Sequence, residues 1–217
     1  SSQIERKLCK NCNSELVGLF CSNCGQKNIE NFTLSKLVKD FFDNILSLDS
    51  RLFQSFKYLI IKPGFLTNEY YSGKRIIYFP PFRLYLLTSV IHFGIDRYIM
   101  MKDIMELLQY AFFILMPCMA FLLTILYRKN HLHYFHHFIT TLHINSAYHV
   151  IFIINHIIVF FLSDIIQVVD SQPINNMALL IVLIYIFIMM KNIHGESLIM
   201  TFTKFAILVC VYLVLIV

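Results

Sequence analysis

Four cysteines near the start of the chain have the spacing of a metal site. Cys9 and Cys12 form one Cys-x-x-Cys pair, and Cys21 and Cys24 form a second. Two residues between cysteines let a tight turn point both thiolates at one ion, and Gly25 can supply the positive backbone φ that such a turn needs. Four thiolates fill a tetrahedral shell, so the pattern predicts a structural zinc ribbon with no position open for catalysis.

The other two cysteines, Cys118 and Cys210, stand alone in apolar stretches. Paired motifs next to isolated cysteines are typical of a metal site in a reducing compartment, and not of a disulfide framework. A redox dithiol is the alternative, but it would not need a second pair. A ribbon this short has almost no apolar core, so we expect metal binding and folding to be one event.

Histidine is the second residue type that could do chemistry, and it is concentrated in one stretch. Seven of the nine histidines lie between residues 131 and 156. Polar residues inside a membrane helix are candidates for a path taken by an ion, a proton or a small molecule. The residues predicted to form such a membrane polar site are His143, Asn145, His149, Asn155 and His156.

Two metal chemistries compete for the same histidines. The motif His133-x-x-His136-His137 resembles one histidine box of the membrane di-iron enzymes, which need three boxes, and the sequence shows no second one. His143 and His156 lie 13 residues apart, a spacing that resembles axial ligands of two stacked haems. Both patterns would make the chain a metal- or haem-dependent oxidoreductase, and a purely hydrogen-bonding role for these rings is the simpler prediction.

The composition places these residues in a membrane protein. The 217 residues are 58% apolar and only 14% charged, too few polar groups to cover a soluble core. Twelve of the 18 Lys and Arg residues lie in the first 83 positions. We therefore predict an all-α integral membrane protein with a zinc ribbon in residues 1–30, amphipathic and interfacial segments in 31–81, and a helical transmembrane domain in 82–217.

The segment 31–81 has helical periodicity without enough apolar length to cross a bilayer. Apolar residues recur every three or four positions over 34–45 and again over 52–60. This pattern predicts two amphipathic helices that lie on the inner membrane surface or pack under the membrane domain. Pro63 is expected to end the second helix, and Pro81 to start the next.

Basic residues among tyrosines follow the second of these amphipathic helices. Basic and aromatic side chains together suit the head-group layer of a membrane. The residues predicted to contact lipid head groups are Lys74, Arg75 and Arg83.

Candidate spans fill the rest of the chain. About 20 apolar residues are needed to cross a hydrocarbon core of about 30 Å. We predict about five transmembrane helices on this basis, within residues 82–101, 107–127, 134–162, 177–190 and 198–217. Lys and Arg cluster where the alternate loops would be cytoplasmic, which predicts a cytoplasmic N-terminus and an outside C-terminus.

Several motifs occur in a fixed order over residues 9–90: the two cysteine pairs ending in CGQK, then KPG, EYYSGKR and PPFRLYLL. This combination resembles a bacterial family of membrane proteins that carry an N-terminal zinc ribbon and are catalogued as a domain of unknown function. The resemblance implies a protein of the bacterial inner (cytoplasmic) membrane. It implies no established activity.

These patterns favour a non-enzymatic role. The metal site is closed, and the sequence shows neither a nucleophile–base pair nor a phosphate loop. We expect an accessory or scaffold subunit whose ribbon is a cytoplasmic docking module for another membrane protein complex. A small transporter or channel built on the His-rich helix 131–156 is the alternative. The ribbon has no basic run interleaved with aromatic residues, which argues against nucleic acid as a partner.

Overall fold

The computed structural model describes residues 8–26, 50–100, 104–128, 132–166 and 172–216. Over this part of the chain the regular structure is helical, apart from isolated bridges in the segment 8–26, which include the antiparallel bridge between Leu8 and Glu15. The helices are α1 (Ser50–Ile61), α2 (Phe65–Tyr71), α3 (Pro81–Met100), α4 (Ile104–Leu126), α5 (Tyr134–Ile166), α6 (Gln172–His194) and α7 (Leu198–Ile216). The predicted helical fold is confirmed over the described residues, whereas the amphipathic run 34–45 lies outside them.

Local sequence signals set the ends of α1 and α3 as predicted. α1 ends at Ile61, two residues before Pro63, which has no N–H group to continue a helix. α3 begins at Pro81, because the fixed φ of proline suits the first helical position and its missing N–H is not needed there.

The short helix α2 was not predicted. Gly64 turns the chain into it with a left-handed φ of 85°. A Cβ atom at Gly64 would lie 3.2 Å from the carbonyl oxygen of Met189, so a glycine also lets α2 approach α6 closely. Leu66 and Thr67 are buried on this helix. Seven residues are too few to show a clear apolar period in the sequence.

α1 and α2 pack into the same core as the long helices. Leu52 and Leu59 of α1 and Leu66 of α2 belong to the buried cluster that also holds side chains of α3 to α7. The hydroxyl of Tyr185 on α6 donates a hydrogen bond to the carbonyl oxygen of Leu59 over 2.5 Å. Of the two positions predicted for this amphipathic helix, packing against the helical domain is the one observed.

α5 lies at the centre of the bundle. It packs against α3, α4 and α6, and each of its residues from 139 to 147 is buried. A helix that is buried all round has lost the usual split between a polar and an apolar face. Its polar side chains must therefore find partners on neighbouring helices or on its own backbone.

Two of the described helices are long and apolar enough to cross a membrane, within Tyr134–Leu162 and Gln172–His194. α4 and α7 contribute shorter apolar stretches, Phe113–Leu126 and Leu198–Val214. Large apolar side chains such as Phe202 are exposed on the outer surface, which suits hydrocarbon better than water. The structure thus supports two possible spans, and the count of about five stays a prediction.

Candidate functional site

The four predicted metal ligands lie together. The Sγ atoms of Cys9, Cys12, Cys21 and Cys24 are all within 4.8 Å of one another. Cys9 Sγ is 3.6 Å from Cys24 Sγ, and Cys12 Sγ is 3.5 Å from Cys21 Sγ. Sulfurs that surround one tetrahedral zinc at about 2.3 Å are about 3.8 Å apart, whereas a disulfide bond is about 2.0 Å long. The cluster has the spacing of a metal site.

Both cysteine pairs adopt the same backbone turn. The N–H of Asn13 donates to the carbonyl oxygen of Cys9, and the N–H of Gly25 donates to that of Cys21, each over 2.8 Å. Asn13 has a φ of 59° and Gly25 a φ of 71°. The positive φ predicted for Gly25 is therefore observed, and its counterpart in the first turn is asparagine, which tolerates this conformation better than most residues.

Ser14 joins the two turns and acts on one ligand. Its Oγ lies 3.2 Å from Cys12 Sγ and accepts a hydrogen bond from Asn23 Nδ2 over 3.0 Å. The hydrogen bond with Ser14 lowers the pKa of the Cys12 thiol to about 6. Cys12 is thus a thiolate near neutral pH, the form that binds metal.

Gln26 joins the ribbon to the helical domain. Its Nε2 donates to the carbonyl oxygen of Gly73 over 2.7 Å, and its Oε1 accepts from the N–H of Arg75 over 3.2 Å. Gly73 has a φ of 94°, and a Cβ atom there would lie 2.8 Å from Cδ of Lys10. We call these two hydrogen bonds the Gln26 clamp. The clamp brings the CGQK motif into contact with the EYYSGKR motif.

Gln26→Ala should loosen the ribbon from the loop after α2. The change removes both hydrogen bonds of the clamp, and each such bond contributes about 0.5–1.5 kcal/mol. We expect the Arg75 amide to exchange its hydrogen roughly 5-fold faster or more, as measured by hydrogen–deuterium exchange of the full-length protein. Asn23→Ala, which removes a hydrogen bond within the ribbon only, is the control. Equal exchange of the Arg75 amide in both variants would contradict the clamp.

The five residues predicted as a membrane polar site are all buried in α5, but they do not form one site. His143 Nδ1 lies 2.9 Å from Thr67 Oγ1 on α2. Asn145 donates to a carbonyl of its own helix, and Asn155 donates to Asn175 Oδ1 on α6 over 2.7 Å. His143 and Asn155 therefore tie α5 to neighbouring helices, whereas the hydrogen bond of Asn145 stays within α5.

The remaining two, His149 and His156, meet two residues of α3. His149 Nδ1 lies 2.9 Å from His92 Nδ1, and His92 Nε2 lies 3.4 Å from Asp96 Oδ2. His156 Nε2 lies 2.6 Å from Asp96 Oδ1. All four side chains are buried. We call this continuous row, from His149 through His92 and Asp96 to His156, the buried polar chain.

Helix geometry explains why these four residues can meet. His92 and Asp96 are four positions apart and so share one face of α3. His149 and His156 are seven positions apart, two helical turns, and share one face of α5. His92 and Asp96 were not among the residues predicted for the membrane polar site. Their spacing within an apolar stretch was the available signal.

The predicted head-group residues have different environments. Lys74 Nζ forms an ion pair with Glu69 over 2.8 Å, and the Arg75 guanidinium lies 5.5 Å from the centre of the Tyr70 ring. Arg83 is only 8% exposed. Its side chain is mostly covered by the protein, and head-group contacts stay a prediction for Lys74, Arg75 and Arg83.

A second polar cluster joins the ends of four helices. The Tyr127 ring, just after α4, stacks on His194 at the end of α6 with 3.4 Å between the ring centres. His137, near the start of α5, stacks on the same histidine. Lys204 of α7 lies 4.0 Å from the Tyr127 ring centre and pairs with Glu196 over 2.6 Å. These contacts place the C-terminal ends of α4 and α6 beside the N-terminal ends of α5 and α7.

Comparison with protein families gives one partial match. The profile described as "Protein of unknown function (DUF3667)" matches residues 49–93, about a fifth of the chain. This stretch covers α1, α2, the loop that holds Gly73, and α3 as far as Phe93. Comparison with curated proteins and with solved structures gave no match. The match is consistent with the resemblance to an uncharacterised family and brings no activity with it.

Proposed function

We propose that this chain is a non-enzymatic membrane accessory subunit whose ribbon is a docking module for another membrane protein complex. The Gln26 clamp carries the proposal, because both ends of one amide fix the ribbon on the loop after α2. A module held in one orientation loses less freedom when it binds a partner. The clamp thus favours a ribbon that is a fixed docking surface over one that moves independently on a flexible tether.

Zinc is the metal that best fits the ribbon. Four thiolates in a tetrahedral arrangement are a typical structural zinc site, and they leave no position for water or substrate. A closed site of this kind stabilises a fold and takes no part in a reaction. The proposed role of the ion is therefore to hold the docking surface in shape.

The ribbon presents apolar side chains to its surroundings. Val17 is 93% exposed and Leu19 is 72% exposed. We call these two residues the ribbon tip. Exposed apolar groups on so small a module are typical of a binding surface, and they suit a protein partner better than a phosphate backbone.

We place the protein in the bacterial inner membrane, with its N-terminus in the cytoplasm, its C-terminus outside and α3 to α7 as the five spans. The cluster at Tyr127 supports this order, because it gathers the ends of four successive helices on one side. Arg128, Lys191 and Lys204 lie at or near this side, as the positive-inside rule requires of the cytoplasmic face. Lipids are then partners along the outer faces of the helices.

Labelling of introduced cysteines should show this orientation. We expect an impermeant thiol reagent to label Gln172→Cys in intact cells and to label Ser197→Cys only after the membrane is opened. Gln172 begins α6, and Ser197 precedes α7, so the two positions lie at opposite ends of neighbouring helices. Cys118→Ser and Cys210→Ser remove the background in the spans. Labelling of Gln172→Cys from the inside alone would contradict the orientation.

Co-purification from native membranes tests the docking role. We expect partner chains to be retained by the wild type and depleted about tenfold by Val17→Ala with Leu19→Ala, a loss of about 1.4 kcal/mol in binding. Phe53→Ala removes an exposed apolar side chain of α1 and is the control. An unchanged set of co-purifying chains in the ribbon-tip variant would contradict the docking role.

Transport of a proton or another cation is a second candidate, and the buried polar chain favours it. Ionisable groups within a membrane helix often mark such paths. The ends of the buried polar chain on α5, His149 and His156, are seven positions apart, which is about 10 Å of a hydrocarbon core of about 30 Å. Its short extent makes docking the better-supported function. Proton flux into proteoliposomes would test this. Transport would become the better-supported function if Asp96→Asn abolished the flux and Cys21→Ser preserved it.

A further inference from the structure

We infer that His92, Asp96 and His156 bind a divalent transition-metal ion at a second site, apart from the ribbon. Nε2 or Nδ1 of each histidine and an oxygen of Asp96 all lie within 4.8 Å of one another. Two imidazole nitrogens and one carboxylate form a ligand set that proteins use for zinc and for ferrous iron. The inference rests on this geometry and is independent of the docking role of the ribbon.

The distances within the triad suit metal ligands. His92 Nε2 is 3.4 Å from Asp96 Oδ2, which is long for a hydrogen bond. Ligand atoms placed about 2.1 Å from one tetrahedral ion are about 3.4 Å apart, so this pair already has the required separation. His156 Nε2 and Asp96 Oδ1 are 2.6 Å apart and must separate slightly to share the ion.

His149 holds one ligand in place. A histidine that binds a metal with one ring nitrogen usually has its other nitrogen in a hydrogen bond, which fixes the ring and its tautomer. His92 fits this rule, because its Nε2 faces Asp96 and its Nδ1 lies 2.9 Å from His149 Nδ1. If the role of Asp96 were only to form an ion pair, one histidine would be enough. The structure supplies two candidate ligands and a third ring that orients one of them.

One residue of the triad, His156, borders a groove from which a further ligand could come. His156 also lines an open groove of about 410 Å³ between α3 and α5, whose other lining residues are glycine and apolar side chains. Three protein ligands leave one position of a tetrahedral shell vacant. Water, or an oxygen atom of an amphiphilic molecule in this groove, would complete the shell. Mg²⁺ and Ca²⁺ do not fit, since they prefer sites made of oxygen ligands alone.

A cobalt titration of the full-length protein tests the inference. With the ribbon already loaded with zinc, we expect the wild type to bind about one equivalent of Co²⁺ with weak visible bands and no intense sulfur-to-cobalt absorption. Asp96→Asn and His156→Gln should each weaken this binding at least tenfold. His143→Gln is the matched control, because His143 is another buried histidine of α5 that contacts Thr67 and lies outside the triad.

The wild type alone can overturn the inference. Wild-type protein that binds no Co²⁺ beyond the ribbon, or that shows only the sulfur-to-cobalt absorption, would overturn it even if the variants failed to fold. Binding that persists in folded Asp96→Asn would do the same. Added Zn²⁺ should also raise the melting temperature of the wild type and of His143→Gln, but not that of Asp96→Asn.

Discussion

Cys21→Ser is expected to release the ribbon metal and unfold residues 8–26 while α1 to α7 stay folded. Structural zinc contributes about 10–16 kcal/mol to the folding of short zinc-binding peptides, far more than this segment can gain from apolar burial. Among its described residues the backbone pairing is limited to isolated bridges, such as that between Leu8 and Glu15. The ribbon should therefore lose its structure once a ligand is removed, because little else supports it.

Hydrogen exchange and thermal unfolding of the same sample can report separately on the ribbon and on the helical domain. Peptides from residues 8–26 should lose their protection in Cys21→Ser, whereas peptides from α5 and α6 should keep theirs. Cys118→Ser is the control, since Cys118 is exposed on α4 and takes no part in the ribbon. A protected ribbon without bound metal would refute this account of how it folds.

Asp96→Ala should cause the largest loss of stability within the helical domain. Asp96 is 3% exposed, and both of its oxygens face histidine nitrogens. Asp96→Ala leaves both His92 and His156 without this partner, and each buried polar group left unpaired costs about 1–3 kcal/mol, so the loss should exceed that of a single histidine variant. We expect this loss in the free energy of unfolding, measured by thermal or denaturant unfolding in detergent.

Variants of single histidines should lose stability for the same reason, but by smaller amounts. His149→Ala and His156→Ala should each cost about 1–3 kcal/mol, the usual penalty for a buried polar group that loses its partner. His136→Ala should cost less, since His136 is only partly buried near the start of α5. Equal melting shifts in all three would mean that depth within the bundle does not set the cost.

Features with a local cause could be predicted from the sequence. The positive φ of Gly25 follows from the turn after a cysteine pair, and the first residue of α3 follows from the fixed φ of Pro81. The end of α1 before Pro63 has the same kind of cause. Each depends on residues that are neighbours in the chain.

Features that depend on distant contacts could not be predicted. The seven-residue spacing of His149 and His156 indicates that they share one side of α5, but it could not show that His92 and Asp96 of α3 would face them. His143 was predicted to belong to a membrane polar site, yet its partner Thr67 lies on a helix too short for its apolar pattern to show. Arg83 was predicted to contact head groups, and the sequence did not show that the fold would cover most of its side chain.

Elemental analysis tests the central claim, that one zinc ion holds the docking module together. The protein should be purified under reducing, chelator-free conditions as the Asp96→Asn variant, so that the triad contributes no metal. We predict about one zinc per chain in this variant and almost none once Cys21→Ser is added. Substantially less than one zinc per chain in Asp96→Asn would contradict the claim.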